Sequence, residues 1–173
     1  AARITPEVPD DLIGDVGRLR QVIVNLIGNA IKFTNQGEVV VTIRSETLGQ
    51  DDVTLHVSVT DTGIGISPAQ MDRVFGPFEQ ADGSTTRRFG GTGLGLSISS
   101  KLVAMMNGRI WVESEIDRGS TFHFTAKLQR QPQDSRKPAL STTPSLMGRS
   151  ILVVDDSRTN RRILEEILTN WGM

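Results

Sequence analysis

The chain has 173 residues, 37% of them hydrophobic, with 19 Lys and Arg against 20 Asp and Glu and no cysteine. That length suffices for one well-buried core and part of a second, and a near-zero net charge gives no electrostatic case for nucleic acid or an anionic membrane as partner. Without thiols there is neither a disulfide scaffold nor a thiolate metal site, and no apolar run of membrane-spanning length or signal-peptide pattern occurs, so a cytoplasmic segment without direct membrane contact is expected.

After a turn-rich start carrying Pro6 and Pro9, the pattern RLRQVIVNLIGNAIKF predicts a helix from about Asp15 to Phe33. Asparagine is a poor helix-interior residue unless it has polar work there. At about 100° per residue, Asn25, Asn29 and Lys32 fall on one stripe, continued backwards by Gln21 and Arg18 and flanked on both sides by apolar residues, so the stripe is expected to face a pocket. The bland alternative, a solvated face, predicts Glu, Lys and Arg there rather than paired amides.

Glu38 to Arg44 and Val53 to Thr60 read as strands, the second with Val53, Leu55, Val57 and Val59 inward and Thr54, His56, Ser58 and Thr60 outward. On that alternation His56 is a solvated strand residue. His56 and His123 look isolated, and a metal site built from them is not expected. Asp61, Gly63 and Gly65 in VTDTGIGI lie where the second strand ends, so a carboxylate emerges at the sheet edge while glycines allow backbone to approach a flat ligand. Such an acceptor at the mouth of an apolar cavity suits an exocyclic amine, whereas a simple loop is the competing account.

Ser67-Pro68 with Gln70 has the form of a capping box and starts a short helix to about Phe75. Residues 76 to 93 are polar, glycine-rich and aperiodic, long for a passive connection and expected to form a functional lid. FGGTGLGLSI then places glycines ahead of a helix from about Leu94 to Met106, an arrangement that presents backbone N–H groups to phosphate. It lacks the ending of a P-loop and does not follow a strand, which disfavours both common nucleotide folds. Strands from Arg109 to Ser114 and Thr121 to Leu128, joined by a turn around Asp117 and Gly119, close the domain at residue 128.

Residues 129–148 have the composition of a linker. ILVVDD then reads as a buried parallel strand and the segment from Ser157 as a helix, a βα unit over 149–173 that needs further strands to cover it. The unpaired strand is expected to pack on a neighbouring surface or exchange with another chain. The abrupt start and the end in mid-pattern read as those of an excised fragment.

The order of paired Asn with Lys on a helix, DTGIGI, FGPFEQ, GGTGLGL and GSTFHF closely resembles the ATP-binding catalytic domain of hybrid-type sensor histidine kinases, within the superfamily that includes gyrase, the heat-shock chaperone ATPase and MutL. ILVVDDSRTNRRIL resembles the opening of a response-regulator receiver domain. The resemblance implies an α+β fold, a two-layer Bergerat-type sandwich of mixed sheet and helices with a mobile ATP lid, followed by a truncated βα receiver stub.

It further implies that Asn29 ligates the Mg²⁺ of MgATP, that Asn25 adjoins the metal-phosphate shell and that Lys32 contacts phosphate. Asp61 binds adenine N6, with Gly63 and Gly65 permitting the approach. Gly91, Thr92, Gly93, Leu94 and Gly95 wrap the triphosphate, Phe75 and Phe78 anchor the lid, Arg87 or Arg88 reaches the terminal phosphate, and Thr121 touches the pocket floor. Asp155 and Asp156 resemble a receiver's acidic pair, which holds Mg²⁺ only in an intact receiver.

Hydrolysing relatives carry a glutamate general base where this chain has Asn25, and an amide cannot take a proton. Phosphoryl transfer from MgATP to a histidine on a separate dimerisation and phosphotransfer domain is therefore expected, then onward to a receiver aspartate, in a homodimeric full-length kinase. With no such acceptor segment present, the chain by itself is expected not to autophosphorylate. The alternatives are a gyrase- or MutL-type ATPase and a degenerate nucleotide-sensing module.

Overall fold

The computed structural model describes residues 1–78, 93–131 and 146–173. Its described elements are β1 (Ala2–Ile4), β2 (Leu12–Ile13), α1 (Val16–Phe33), β3 (Val39–Leu48), β4 (Asp52–Asp61), α2 (Pro68–Met71), α3 (Gly95–Met105), β5 (Ile110–Glu115), β6 (Gly119–Arg130) and α4 (Arg158–Asn170). They form an α+β fold, a mixed sheet in the order β1-β3-β4-β6-β2 with β5 also on β6. Among the described residues only β1 and β3 run parallel.

Alternation in the strands sorts the layers. Val57 and Val59 of β4 and Phe122, Phe124 and Ala126 of β6 face α1 and α3, whose Val22, Leu26, Ala30 and Val103 close the same core. Each such valine, leucine or phenylalanine side chain contributes about 1.5–3 kcal/mol on burial, the alanines less. A smaller cluster of Val53, Leu55 and Leu128 is covered by Val8 and Leu12. Thus the turn-rich start also supplies β1 and β2. The latter pairs with Gln129 and Arg130, which the sequence pattern had placed in a linker.

α1 begins where the Asp15 carboxylate accepts from the Arg18 N–H at 2.9 Å. α2 is shorter than expected, one turn started by Ser67, whose N–H donates to Gln70 Oε1 at 3.3 Å. Left-handed backbone at Asp117 (φ 62°) and Gly119 (φ 99°) makes the β5–β6 turn.

The other face of the sheet corrects the expectation for His56, which is only 4% exposed. Trp111 stacks on it at 5.2 Å and 9°, and on His123 at 4.9 Å and 11°. Arg109 lies 4.7 Å above the indole while pairing with Glu46 at 2.9 Å. Alternation assigned His56 to the outer face correctly; the rings placed opposite it keep water away.

Ile151 to Val154 form no strand, and Leu152 is 86% exposed. The run therefore does not pack on a neighbouring surface of its own chain. The polar side of α4 makes the contacts instead, Glu166 with Arg3 at 2.6 Å and Thr159 with Glu38 at 2.9 Å.

Candidate functional site

α1 carries the polar stripe. Asn25, Asn29 and Lys32 are half-buried along it, while Gln21 is exposed. The Asn25 carboxamide donates from Nδ2 to Ser99 Oγ on α3 at 2.9 Å. Its Oδ1 lies against Gly95, where an added Cβ would stand 2.5 Å away. A side chain at Gly95 would thus force the Asn25 carboxamide to move.

At the other end of α1, the loop after β4 closes in. Asp61 is 5% exposed and its Oδ1 accepts from the Gly63 N–H at 2.8 Å. Burial raises its pKa above the usual carboxylate value, and the N–H groups of Gly63 and Ser120 partly offset this. A Cβ at Gly63 would collide with Phe33 O, the last residue of α1, and the Ile64 N–H donates to the same oxygen at 3.4 Å. Gly65 adopts φ 71°, where a Cβ would meet Glu115 O. The two glycine clusters, distant in sequence, thus meet one helix eight residues apart, at Asn25 and Phe33, about 12 Å along its axis.

Phe75 packs on the core and meets Phe122 edge to face at 6.2 Å and 85°. Phe78 does not anchor in that way, being 73% exposed. Its backbone serves instead, with the Phe78 N–H donating to Gly93 O at 3.2 Å and φ positive at both residues. Leu94 O accepts from the Ser97 hydroxyl at 2.9 Å just before α3. Arg87, Arg88, Gly91 and Thr92 lie outside the described residues.

Thr121 is also corrected. It pairs with Thr60, and its hydroxyl donates to Thr60 Oγ1 at 3.2 Å, on the face opposite Asp61. Ser120 is the residue paired with Asp61, and its hydroxyl receives a hydrogen bond from Ser114 at 3.0 Å. In GSTF the face is set by register, so a one-residue shift exchanges the two hydroxyls. Asp155 turns to the amino end of α4, accepting from the Ser157 N–H at 2.8 Å, while Asp156 is exposed.

Ser99, 1% exposed, is the site residue that motif reading missed. Its signal was a hydroxyl four residues after Gly95, on the side of α3 that faces α1 rather than solvent.

The chemistry of the donor set fits a metal-bound nucleotide. Amide oxygens and a carboxylate are hard ligands and acceptors, whereas the space beside Gly63, Gly65 and Gly95 is taken by the chain's own Phe33, Glu115 and Asn25. A buried carboxylate and a line of amides on one helix suit a flat amine-bearing ring joined to an anionic chain.

Residues 14–130 match the family described as histidine kinase-, DNA gyrase B-, and HSP90-like ATPase. The chain is 48% identical over 129 residues, 75% of its length, to the signal transduction histidine-protein kinase BarA of Escherichia coli strain K12, covering 14% of that protein. It is 45% identical over 167 residues to histidine protein kinase 1 of Candida albicans (96% of this chain, 6% of the relative) and 40% identical over 169 residues to the sensor histidine kinase AruS of Pseudomonas aeruginosa (98% and 17%). The chain thus spans less than a fifth of these relatives. Among solved structures, full-length ShkA in complex with AMPPNP superposes with a TM-score of 0.74 at 31% identity, over 99% of this chain and 33% of that one. The catalytic domain of histidine kinase ThkA gives 0.53 at 29% identity, over 72% and 75%.

Proposed function

Because the chain belongs to the histidine kinase-, DNA gyrase B-, and HSP90-like ATPase family, with a histidine kinase catalytic ATP-binding domain in residues 14–130, we propose that it binds MgATP and transfers the terminal phosphoryl group to a histidine outside the chain. Adenine lies on Asp61, and the phosphates lie between Asn25, Asn29 and Lys32 on one side and the glycine segment before α3 on the other. The observation that carries this is the meeting of both glycine clusters with α1, at Asn25 and at Phe33. Asn29 and Asn25 would hold Mg²⁺ through their amide oxygens, and the metal, when bound, neutralises charge on the phosphate oxygens. Phosphate contacts by Gly91, Thr92, Arg87 and Arg88 belong to the same proposal.

Protein groups here bind, orient and exclude water, and among the described residues no carboxylate takes the place of Asn25 as general base. An amide at Asn25, tied to Ser99 at 2.9 Å, takes no proton, which favours transfer over hydrolysis. Nor is either histidine an acceptor. His56 and His123 lie on the sheet face opposite Asp61, closed in by Trp111. The acceptor is a histidine of a separate dimerisation domain in a homodimeric cytoplasmic kinase. Residues 149–173 begin a receiver unit that takes the phosphoryl group onward, a placement supported by matches to sensor kinases that run across 96–98% of the chain.

Calorimetric titration with AMPPNP, with and without Mg²⁺, tests the first half. Affinity that rises with Mg²⁺ is expected, and no binding under either condition overturns it. Adding a cognate dimerisation domain with labelled ATP tests the second, with phosphohistidine appearing on that domain and none on the chain alone. Turnover by the chain alone at about 1 per second or faster would point to a self-contained ATPase.

A further inference from the structure

Asn25 presents two chemically opposite atoms at the tip of one side chain. Oδ1 can ligate a cation or accept a hydrogen bond, whereas the Nδ2 amino group can only donate. A half turn of the carboxamide exchanges them. Its orientation therefore decides what the amide offers to the space between α1 and the glycine segment.

Ser99 engages one of the two atoms. Its hydroxyl, 1% exposed inside the α1–α3 interface, receives the Nδ2 hydrogen bond at 2.9 Å. Oδ1 is then turned to Gly95, the first residue of α3 and the end of the glycine segment. Ser99 is buried and Asn25 half-buried, so the bond sits at the inner end of the amide.

We propose, on the MgATP reading of the site given above, that Ser99 is a positioning residue, which touches no part of the nucleotide and holds the Asn25 carboxamide with its oxygen toward the metal-phosphate group. The same bond joins α1 to the helix that follows the glycine segment. Metal ligation and the placement of Gly93 to Gly95 are thereby set by one contact. Without the hydroxyl that orientation loses its hydrogen bond.

The test compares AMPPNP affinity in the 173-residue chain and two variants, each with and without Mg²⁺. Ser99→Ala is expected to lose about 3- to 10-fold in affinity when Mg²⁺ is present and to change little in its absence, the range set by one net hydrogen bond. Ser99→Thr, which keeps the hydroxyl, is expected to restore the Mg²⁺-dependent part. Equal losses with and without Mg²⁺ would mark a purely structural serine and overturn the proposal, as would no loss at all. Wild-type chain that binds no nucleotide would instead remove the MgATP reading, and the role of Ser99 with it.

A measurement on the nucleotide-free wild type stands apart from folding of the variants. The side-chain amide protons of Asn25 are expected to exchange with water more slowly than those of exposed Asn35. Equal exchange overturns the positioning role even if Ser99→Ala does not fold.

Discussion

His56 Nε2 stands 3.1 Å from His123 Nδ1, and this contact fixes the proton positions of both rings. Arg44 donates from Nε to His56 Nδ1 at 2.7 Å, so the neutral His56 carries its proton on Nε2 and passes the hydrogen bond to His123. His123 Nε2, buried without a hydrogen-bond partner among the described residues, faces Glu113 Oε1 at 3.8 Å, a charge neighbour beyond bonding distance. A second proton on either ring would set donor against donor. Burial is the main cause holding both imidazoles below their ordinary value of 6.5. Arg44 adds to it at His56, whereas Glu113 opposes it at His123.

A depressed histidine pKa in the folded state means that the unfolded chain takes up the proton first as pH falls. Stability is thus fully present above the unfolded value and declines below it until the folded pKa is passed. The urea midpoint is expected to fall between about pH 7.5 and 5.5, and the fall should shrink in His123→Asn, which keeps a polar side chain but cannot titrate. Identical profiles for the two proteins would show that these rings do not govern it.

Exchanging Asp61→Asn replaces a buried charged acceptor by an amide. We expect about 1.5 to 3 kcal/mol less binding energy for AMPPNP, one to two decades in affinity, because an adenine amine would be left poorly paired. Calorimetry with unchanged affinity would remove adenine recognition from this residue.

Gly95→Ala sets two effects against each other. Alanine is the better helix former by about 1 kcal/mol, yet its Cβ would stand 2.5 Å from Asn25 Oδ1. Thermal stability is expected to change little while nucleotide affinity in Mg²⁺ falls by about tenfold or more, roughly 1.4 kcal/mol. A variant as tight-binding as wild type would show that the Asn25 carboxamide has room to move without consequence.

Leu26, fully buried between α1 and the sheet, reports on the core alone. Leu26→Ala should cost about 2 to 5 kcal/mol in urea unfolding through lost transfer energy and the cavity left behind. A loss under about 1 kcal/mol would mean that the helix layer collapses to fill the space.

Much of this architecture can be read along the chain. The amide stripe of α1 and the alternation in β4 are local patterns with known periods, and the structure has a helix and a strand over those residues. What escaped reading depends on partners far away in sequence. β1 and β2 have three and two residues and owe their existence to β3 and β6. His56 meets Trp111 and His123 only after the strands pair, and no periodicity states what stands opposite a residue. Ser120 and Thr121 differ only in register, which the pairing with Asp61 decides. Arg87, Arg88, Gly91 and Thr92 remain assigned by resemblance alone.

The place of β6 governs how this domain can be made. It pairs with β4 along one side and with β5 and β2 along the other, yet it is the last strand of the sheet to be synthesised. Phe122 and Phe124 follow their partners Val59 and Val57 by 63 and 67 residues, so a ribosome adding about 5–20 residues per second leaves those valines uncovered by their final neighbours for about 3 to 13 s. During that interval the nascent β3–β4 hairpin offers a free edge, and translation speed between residues 61 and 130 sets how long chaperones must shield it.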